Sequence, residues 1–247
     1  MGLSPDLTLE YPNGALKEMF RKEKINLLAI ACLFCAPMNG ARLAGHSLRQ
    51  PSSNVTDVAG VIDRLRFVLG SQNRGVVIEL RGACQLNTET IEVPIAVRLS
   101  GVKQANSLAT VKDILSEDGN LSVVQVPSGS VEVRNVAVSK ALLDTRITNL
   151  RLTALQRRYP NEAIAALLNY SDVQTAFTKL AIRPSIQLAG VEYTPVDKSL
   201  RLPKSLANTT VEGVISSILK TFGGFVVYEE CSVASGRETI FSLTYYN

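Results

Sequence analysis

One hydrophobic pattern recurs three times along the chain. It appears in "TDVAGVIDRLRFVLGSQNRGVVIEL" (56–80), in "SLATVKDILSEDGNLSVVQVPSGSVEVRN" (107–135) and in "TTVEGVISSILKTFGGFVVYEE" (209–230). Each stretch has apolar residues at helical spacing, then a glycine-containing break, then a burst of β-formers. In the first, Val58, Val61, Ile62, Leu65, Val68 and Leu69 line one helical face, and Asn54 with Asp57 three residues on is a helix-start signal. In the second, a helix is predicted over about 107–116, with Val111, Ile114 and Leu115 inward. The turn "EDGN" follows, and then two strands joined by "PSG". In the third, Thr209 and Glu212 have capping-box spacing, Val211, Val214, Ile215, Ile218 and Leu219 form the stripe, and Gly223–Gly224 ends the helix.

The copies align residue by residue. "VAGVIDRL" matches "VEGVISSI", and the third copy has four more residues than the second, about one helical turn, which leaves the buried face unchanged. "VRL" (97–99) and "LRL" (200–202) precede the second and third helices as candidate opening strands. "ETIEVPIAVRL" supplies further strand, with Pro94 confined to an edge or bulge. The repeated unit is therefore β-α-β-β, a helix laid on a hairpin so that each buries one face.

Between the second and third copies the pattern changes. "SKALLDTRI" reads as a short helix and "NLRL" as strand; "NEAIAALL" follows Pro160, a suitable first-turn proline, and "SDVQTAFTKLAI" opens with Ser171 and Gln174 at capping-box spacing. These two helices read as an inserted hairpin, after which "RPSIQLAGVEYTPVDKSLRLP" returns to strand. The expected fold class is α+β: repeated β-α-β-β units, each a helix on a small antiparallel or mixed sheet, with a helical-hairpin insertion. The expected organisation is a leader (1–45), a linker (46–54), a first α+β domain of two units (55–136), a helical insertion or connector (137–198) and a third unit (199–247).

The N-terminal pattern adds a location. "RKEK", the apolar "INLLAIACLFCAPM" and the small-residue exit "NGARLAG" have the layout of a secretory signal peptide, with Met1 or Met19 as the start. The alternatives are a buried core helix, or a lipoprotein with its lipid on Cys32. Export implies a periplasmic or secreted protein and removes Cys32 and Cys35. Cys84 and Cys231 then remain, and they either form one bridge or stay as two thiols.

Charge excludes more than it implies. Five of the 26 basic and four of the 22 acidic residues precede Gly45, which leaves 21 against 18 beyond it. That is too even a balance for an electrostatic nucleic-acid surface. The single histidine, His46, lies before the folded part, so His-based triads and metal sites are excluded there. No phosphate-binding glycine loop occurs, and "TFGGF" is a helix stop. The acids of "SEDGN" and "YEEC" read as solvated, because a turn and alternating strand positions do not converge them. No catalytic residue, cofactor or metal is expected.

"VRLSGVKQANSLATVKDILSEDGNLSVVQVPSGSVEVRN" (97–135) and "LRLPKSLANTTVEGVISSILKTFGGFVVYEE" (200–230) each resemble the secretin and TonB short N-terminal domain, a small βαββ-type module of bacterial envelope proteins. The resemblance implies docking of other envelope proteins. The expected function is thus non-catalytic binding of an envelope protein or peptide. Strand addition is expected beside the outward residues Ser130, Glu132 and Arg134, or beside Glu238, Ile240 and Ser242 in the third unit. No nucleic acid partner is expected, and membrane contact only through the leader or a lipid. The rivals are an enzyme using a carboxylate or Ser/Thr site and a structural assembly subunit.

Overall fold

The computed structural model describes residues 54–69, 75–85, 90–98, 101–102, 106–185, 199–234 and 236–247. The leader, with Cys32, and most of the linker lie outside the described residues. Among the described residues, no helix is long and apolar enough to cross a membrane.

The predicted helices form where the apolar stripes lie. They are α1 (Val58–Leu69), α2 (Ser107–Ile114) and α5 (Val211–Phe222), and each buries the residues of its stripe. The pair after Pro160 is also helical, α3 (Pro160–Leu168) and α4 (Ser171–Leu180). The fold is α+β. A mixed six-stranded sheet runs in the order β6 (Leu121–Gln125), β7 (Val131–Asn135), β2 (Val76–Arg81), β11 (Phe225–Ser232), β12 (Thr239–Tyr246) and β9 (Ile182–Pro184). Helices α1 and α2 pack on one face, over Ile78, Val133, Val227 and Ile240. Helices α3, α4 and α5 pack on the other, over Val77, Val226, Tyr228 and Phe241. The segments 55–136, 137–198 and 199–247 therefore share a single sheet, since β2 of the first pairs in parallel with β11 of the last.

The repeat is physical as well as textual. In "TDVAGVI" and "TTVEGVI" a strand threonine is followed by a cap residue and then the helix. A Cβ on Gly60 would stand 2.0 Å from Thr56 Oγ1, and one on Gly213 would stand 2.0 Å from Thr209 Oγ1. Each threonine hydroxyl fills the space that only glycine leaves open.

Several start signals shift. Asn54 lies in β1 (Asn54–Thr56), and Asp57 caps α1 by accepting from the Gly60 amide at 2.9 Å. Thr210, not Thr209, caps α5, its hydroxyl accepting from the Gly213 amide at 3.1 Å. Thr209 stands one residue ahead of the cap, so the capping box with Glu212 does not form. Ser171 is already helical and no side chain caps α4. "SKALLDTRI" folds as turns up to β8 (Arg146–Arg151). "LRL" is not a strand; β10 (Ser205–Thr210) opens the third unit instead, paired with β8. Pro94 splits its run into β4 (Thr90–Glu92) and β5 (Ile95–Val97), and β5 pairs with β1. Gly223 and Gly224, at φ 71° and 74°, end α5 as the sequence implies. Thr210→Ala leaves the Gly213 amide uncapped; we expect a loss of about 1 kcal/mol, read from urea unfolding.

Candidate functional site

The α5 side of the sheet carries a polar row that the sequence pattern hides. Strands β7, β2 and β11 run parallel, in a register that sets Arg134 beside Glu79 and Glu79 beside Tyr228. Alternation then puts Ser130 just before β7, Glu132 and Arg134 of β7, Glu79 of β2, and Tyr228 and Glu230 of β11 on the face that α5 covers. Glu79 is 0% exposed, Glu132 6% and Glu230 1%.

Glu230 is fully served. Its Oε2 accepts from the Tyr228 hydroxyl at 2.8 Å and its Oε1 from the Ser139 amide at 2.9 Å, and Arg81 Nη1 lies 3.7 Å away. Burial first, then the Glu230 carboxylate, pushes the Tyr228 hydroxyl up, so it stays a neutral donor.

The second group is less complete. Arg134 Nε donates to Glu79 Oε2. Its Nη2 lies 2.8 Å from Glu132 Oε1 and 3.9 Å from Glu212 Oε1 on α5, and Lys140 Nζ is 3.8 Å from the same Glu212 oxygen. The Nη2 approach to Glu132 is off the N–H direction, so it is a Coulombic contact and not a hydrogen bond. Glu79 Oε1 is buried with no hydrogen-bond partner, and so is Ser130 Oγ. Burial pushes the Glu79 carboxyl above its ordinary range; the Arg134 bond and charge oppose this, while Glu132 and Glu212 add to it. For Arg134, burial disfavours the charge, but the Glu79 hydrogen bond and the surrounding carboxylates outweigh it and raise the guanidinium further. Glu132, Ser130 and Glu212 line a groove of about 270 Å³ between the β6–β7 turn and α5, walled by Val126, Pro127, Ile215 and Leu219.

Two further features bear on function. Cys84, on β3 (Ala83–Gln85), is disulfide-bonded to Cys231 on β11, with Cα atoms 5.3 Å apart, so the two cysteines left open by the sequence meet in one bridge. The β3–β4 hairpin is thereby tied to the sheet. The other feature is the outer edge of β6. In β7 the Val131 amide bonds toward β2, so the even-numbered residues of β7 face β6. Their partners Ser122 and Val124 point inward, and Val123 and Gln125 turn their amides and carbonyls outward. Among the described residues, no strand pairs with that edge.

The expected binding residues Ser130, Glu132 and Arg134 are not at an edge. Glu132 and Arg134 lie on β7, which is paired on both sides, Ser130 just before it gives its carbonyl to the Val126 amide, and α5 covers the face they share. Glu238 precedes β12, and β12 is held between β11 and the short β9, which pairs with Thr239–Phe241. "YEEC" is not solvated either: Glu230 is buried, and Glu229 is half-buried against Ser242 on the opposite face. Sequence reasoning missed Glu79, Glu212, Glu230 and Tyr228. One signal was present: "VVIEL" is a strand apolar on both faces, as parallel strands are, so a glutamate within it is buried whichever face it takes.

Compared with known proteins, the chain matches no family model, no curated protein and no solved structure.

Proposed function

We propose that the chain is an exported, non-catalytic interaction module of a bacterial cell envelope, which receives an extended segment of another envelope protein or peptide along the outer edge of β6. The observation that carries this reading is the open edge at Val123 and Gln125, with the exposed apolar side chain of Val124 between them. Unpaired main-chain groups supply affinity and alternate side chains supply selectivity. The Cys84–Cys231 disulfide supports an oxidising compartment, and the leader pattern supports export. The apolar spacing that resembles the secretin and TonB short N-terminal domain supports docking in an envelope assembly.

A catalytic use of the buried acids is disfavoured by their placement. A general acid must carry a proton within reach of substrate. Glu79, a carboxyl that burial makes readier to take one, is fully buried and does not line the groove.

The test is Gln125→Pro. Gln125 is an exposed position whose amide points outward, so proline removes an edge donor without breaking the β6–β7 ladder. With the fold verified by circular dichroism, we expect the variant to lose capture of the envelope partner that the wild type cross-links. Unchanged capture removes β6 as the binding surface.

A further inference from the structure

The basic residues of the folded part are unevenly placed. Beyond Gly45 the chain has 21 basic and 18 acidic residues. Five of the 21, namely Arg151, Arg157, Arg158, Arg201 and Lys204, lie in 150–161 and 199–211, two stretches without a single acid. Removing those five leaves 16 basic against 18 acidic residues, so the whole positive excess sits in these two stretches.

The stretches are distant in sequence and adjacent in the fold. Strands β8 and β10 pair with Arg151 opposite Ser205. Just past that end of the ribbon, the Leu152 amide donates to the Lys204 carbonyl at 2.9 Å and the Leu202 amide donates to the Arg157 carbonyl at 2.9 Å. Arg157 Nε donates to the Leu202 carbonyl at 2.7 Å. Leu152 and Leu202 are core residues, so the backbone that carries the charges is anchored. Arg151, Arg158, Arg201 and Lys204 are exposed and Arg157 is half-buried.

Two observations set this end apart from an ordinary solvated face. Elsewhere Arg66, Arg81, Arg98, Arg134, Lys140 and Arg183 each pair with a carboxylate, whereas among the described residues none of the five does. Lys112, Lys179 and Lys220 also lack such a partner, but they stand singly on three different helices. The second observation is Leu155. It lies in the turn between Arg151 and Arg157, is 54% exposed, and is followed by the half-buried Tyr159.

We propose that this end of the β8–β10 ribbon docks on an anionic phospholipid bilayer, with the cations at the headgroup phosphates and Leu155 entering the apolar layer beneath them. Arginine forks match phosphate oxygens, and basic side chains keep their charge at the headgroups while their stems lie along apolar surface. A soluble polyanion would meet the cations and leave Leu155 in water. A bilayer places phosphates directly over hydrocarbon, which is the layering that cations around an exposed leucine require. The surface uses other strands than the β6 edge and is independent of strand addition.

Vesicle co-sedimentation tests it. The compact unit from Leu48 onward contains every described helix and strand and excludes the apolar run at 25–38, which would bind vesicles by itself. With this unit we expect saturable binding to vesicles containing phosphatidylglycerol and none to phosphatidylcholine alone. Salt should release it between about 0.1 and 1 M, as the screening length falls from about 10 to 3 Å. Each basic side chain near an anionic surface strengthens binding about fivefold, so Arg151→Gln, Arg158→Gln and Arg201→Gln together should weaken it about a hundredfold. Arg157 is kept because it holds Leu202. Lys112→Gln, Lys179→Gln and Lys220→Gln together remove the same charge and should weaken binding less than about fivefold. Leu155→Ser, at constant charge, should weaken it about threefold or more. Circular dichroism checks each fold, and Arg158→Gln alone, with its expected loss of about fivefold, decides if the triple variant does not fold. No saturable binding to the anionic vesicles would overturn the proposal. Equal losses in the two triple variants would overturn it by assigning binding to net charge. Unchanged binding by Leu155→Ser would remove the bilayer as the occupant in favour of a soluble acidic partner.

Discussion

Arg134→Met destabilises the protein by about 3–5 kcal/mol at neutral pH, the cost of removing one partner from a buried ion group. Methionine keeps the apolar stem and removes the guanidinium. Glu79, Glu132 and Glu212 are then left facing one another, with Lys140 3.8 Å from Glu212. The pH dependence identifies the cause. Burial already holds the Glu79 pKa above its ordinary 4.5, with Arg134 opposing the rise. A carboxyl whose folded pKa is raised takes up a proton more readily in the native state than in the unfolded chain. Its penalty is absent below the unfolded pKa and grows as pH rises through the folded one. Without Arg134 the folded pKa rises further and the penalty deepens. Urea unfolding at mildly acidic and mildly alkaline pH should therefore show the variant losing stability more steeply with rising pH than the wild type. Glu79→Gln combined with Arg134→Met should recover part of the loss, because it removes the buried charge left unpaired. A loss independent of pH would assign the effect to packing.

Breaking the Cys84–Cys231 bridge is the second large effect. The bridge spans a sequence separation of 147 residues, so it constrains a large part of the unfolded chain. The chain-entropy account puts a loop of that length near 5 kcal/mol, and measured losses for native bridges run about 2–5 kcal/mol. We expect Cys84→Ala with Cys231→Ala to fall in that range, read as a lower urea midpoint at unchanged slope. The same loss should follow reduction of the wild type. The hairpin of β3 and β4 should open first, because Cys84 is its tie to β11, and protease cleavage within 82–93 should precede global unfolding. A double variant with an unchanged midpoint would show that the strands hold the hairpin without the sulfurs.

Local order along this chain is legible because it follows from nearest neighbours. The stripes of α1, α2 and α5 are 3.6-residue patterns, and the structure buries them as written. The glycine pair after α5 stops it for a backbone reason, a positive φ at both residues. The β6–β7 hairpin follows from two β-rich runs and a short turn. Cap positions were off by one to three residues, because Asn54 carries the side chain of a cap while its backbone belongs to a strand, and two adjacent threonines, Thr209 and Thr210, offer the same cap chemistry.

The site was not legible, and the reason is long-range pairing. Ser130, Glu132 and Arg134 alternate with Val131 and Val133, which is also how an exposed strand face reads. Alternation reports which residues share a face and is silent on what covers it. Only the parallel pairing of β7 with β2, and of β2 with β11, made β7 an inner strand and set Arg134 beside Glu79. Only the packing of α5 over that face brought in Glu212 and turned a solvent-facing pattern into a buried one. The same pairing decided that the open edge is β6 and that Cys84 meets Cys231. By itself the sequence determined the helices, the hairpin and the stripes, since these depend on residues within a few positions of each other. The tertiary structure decided where the charges lie, because that depends on which distant strands share backbone hydrogen bonds.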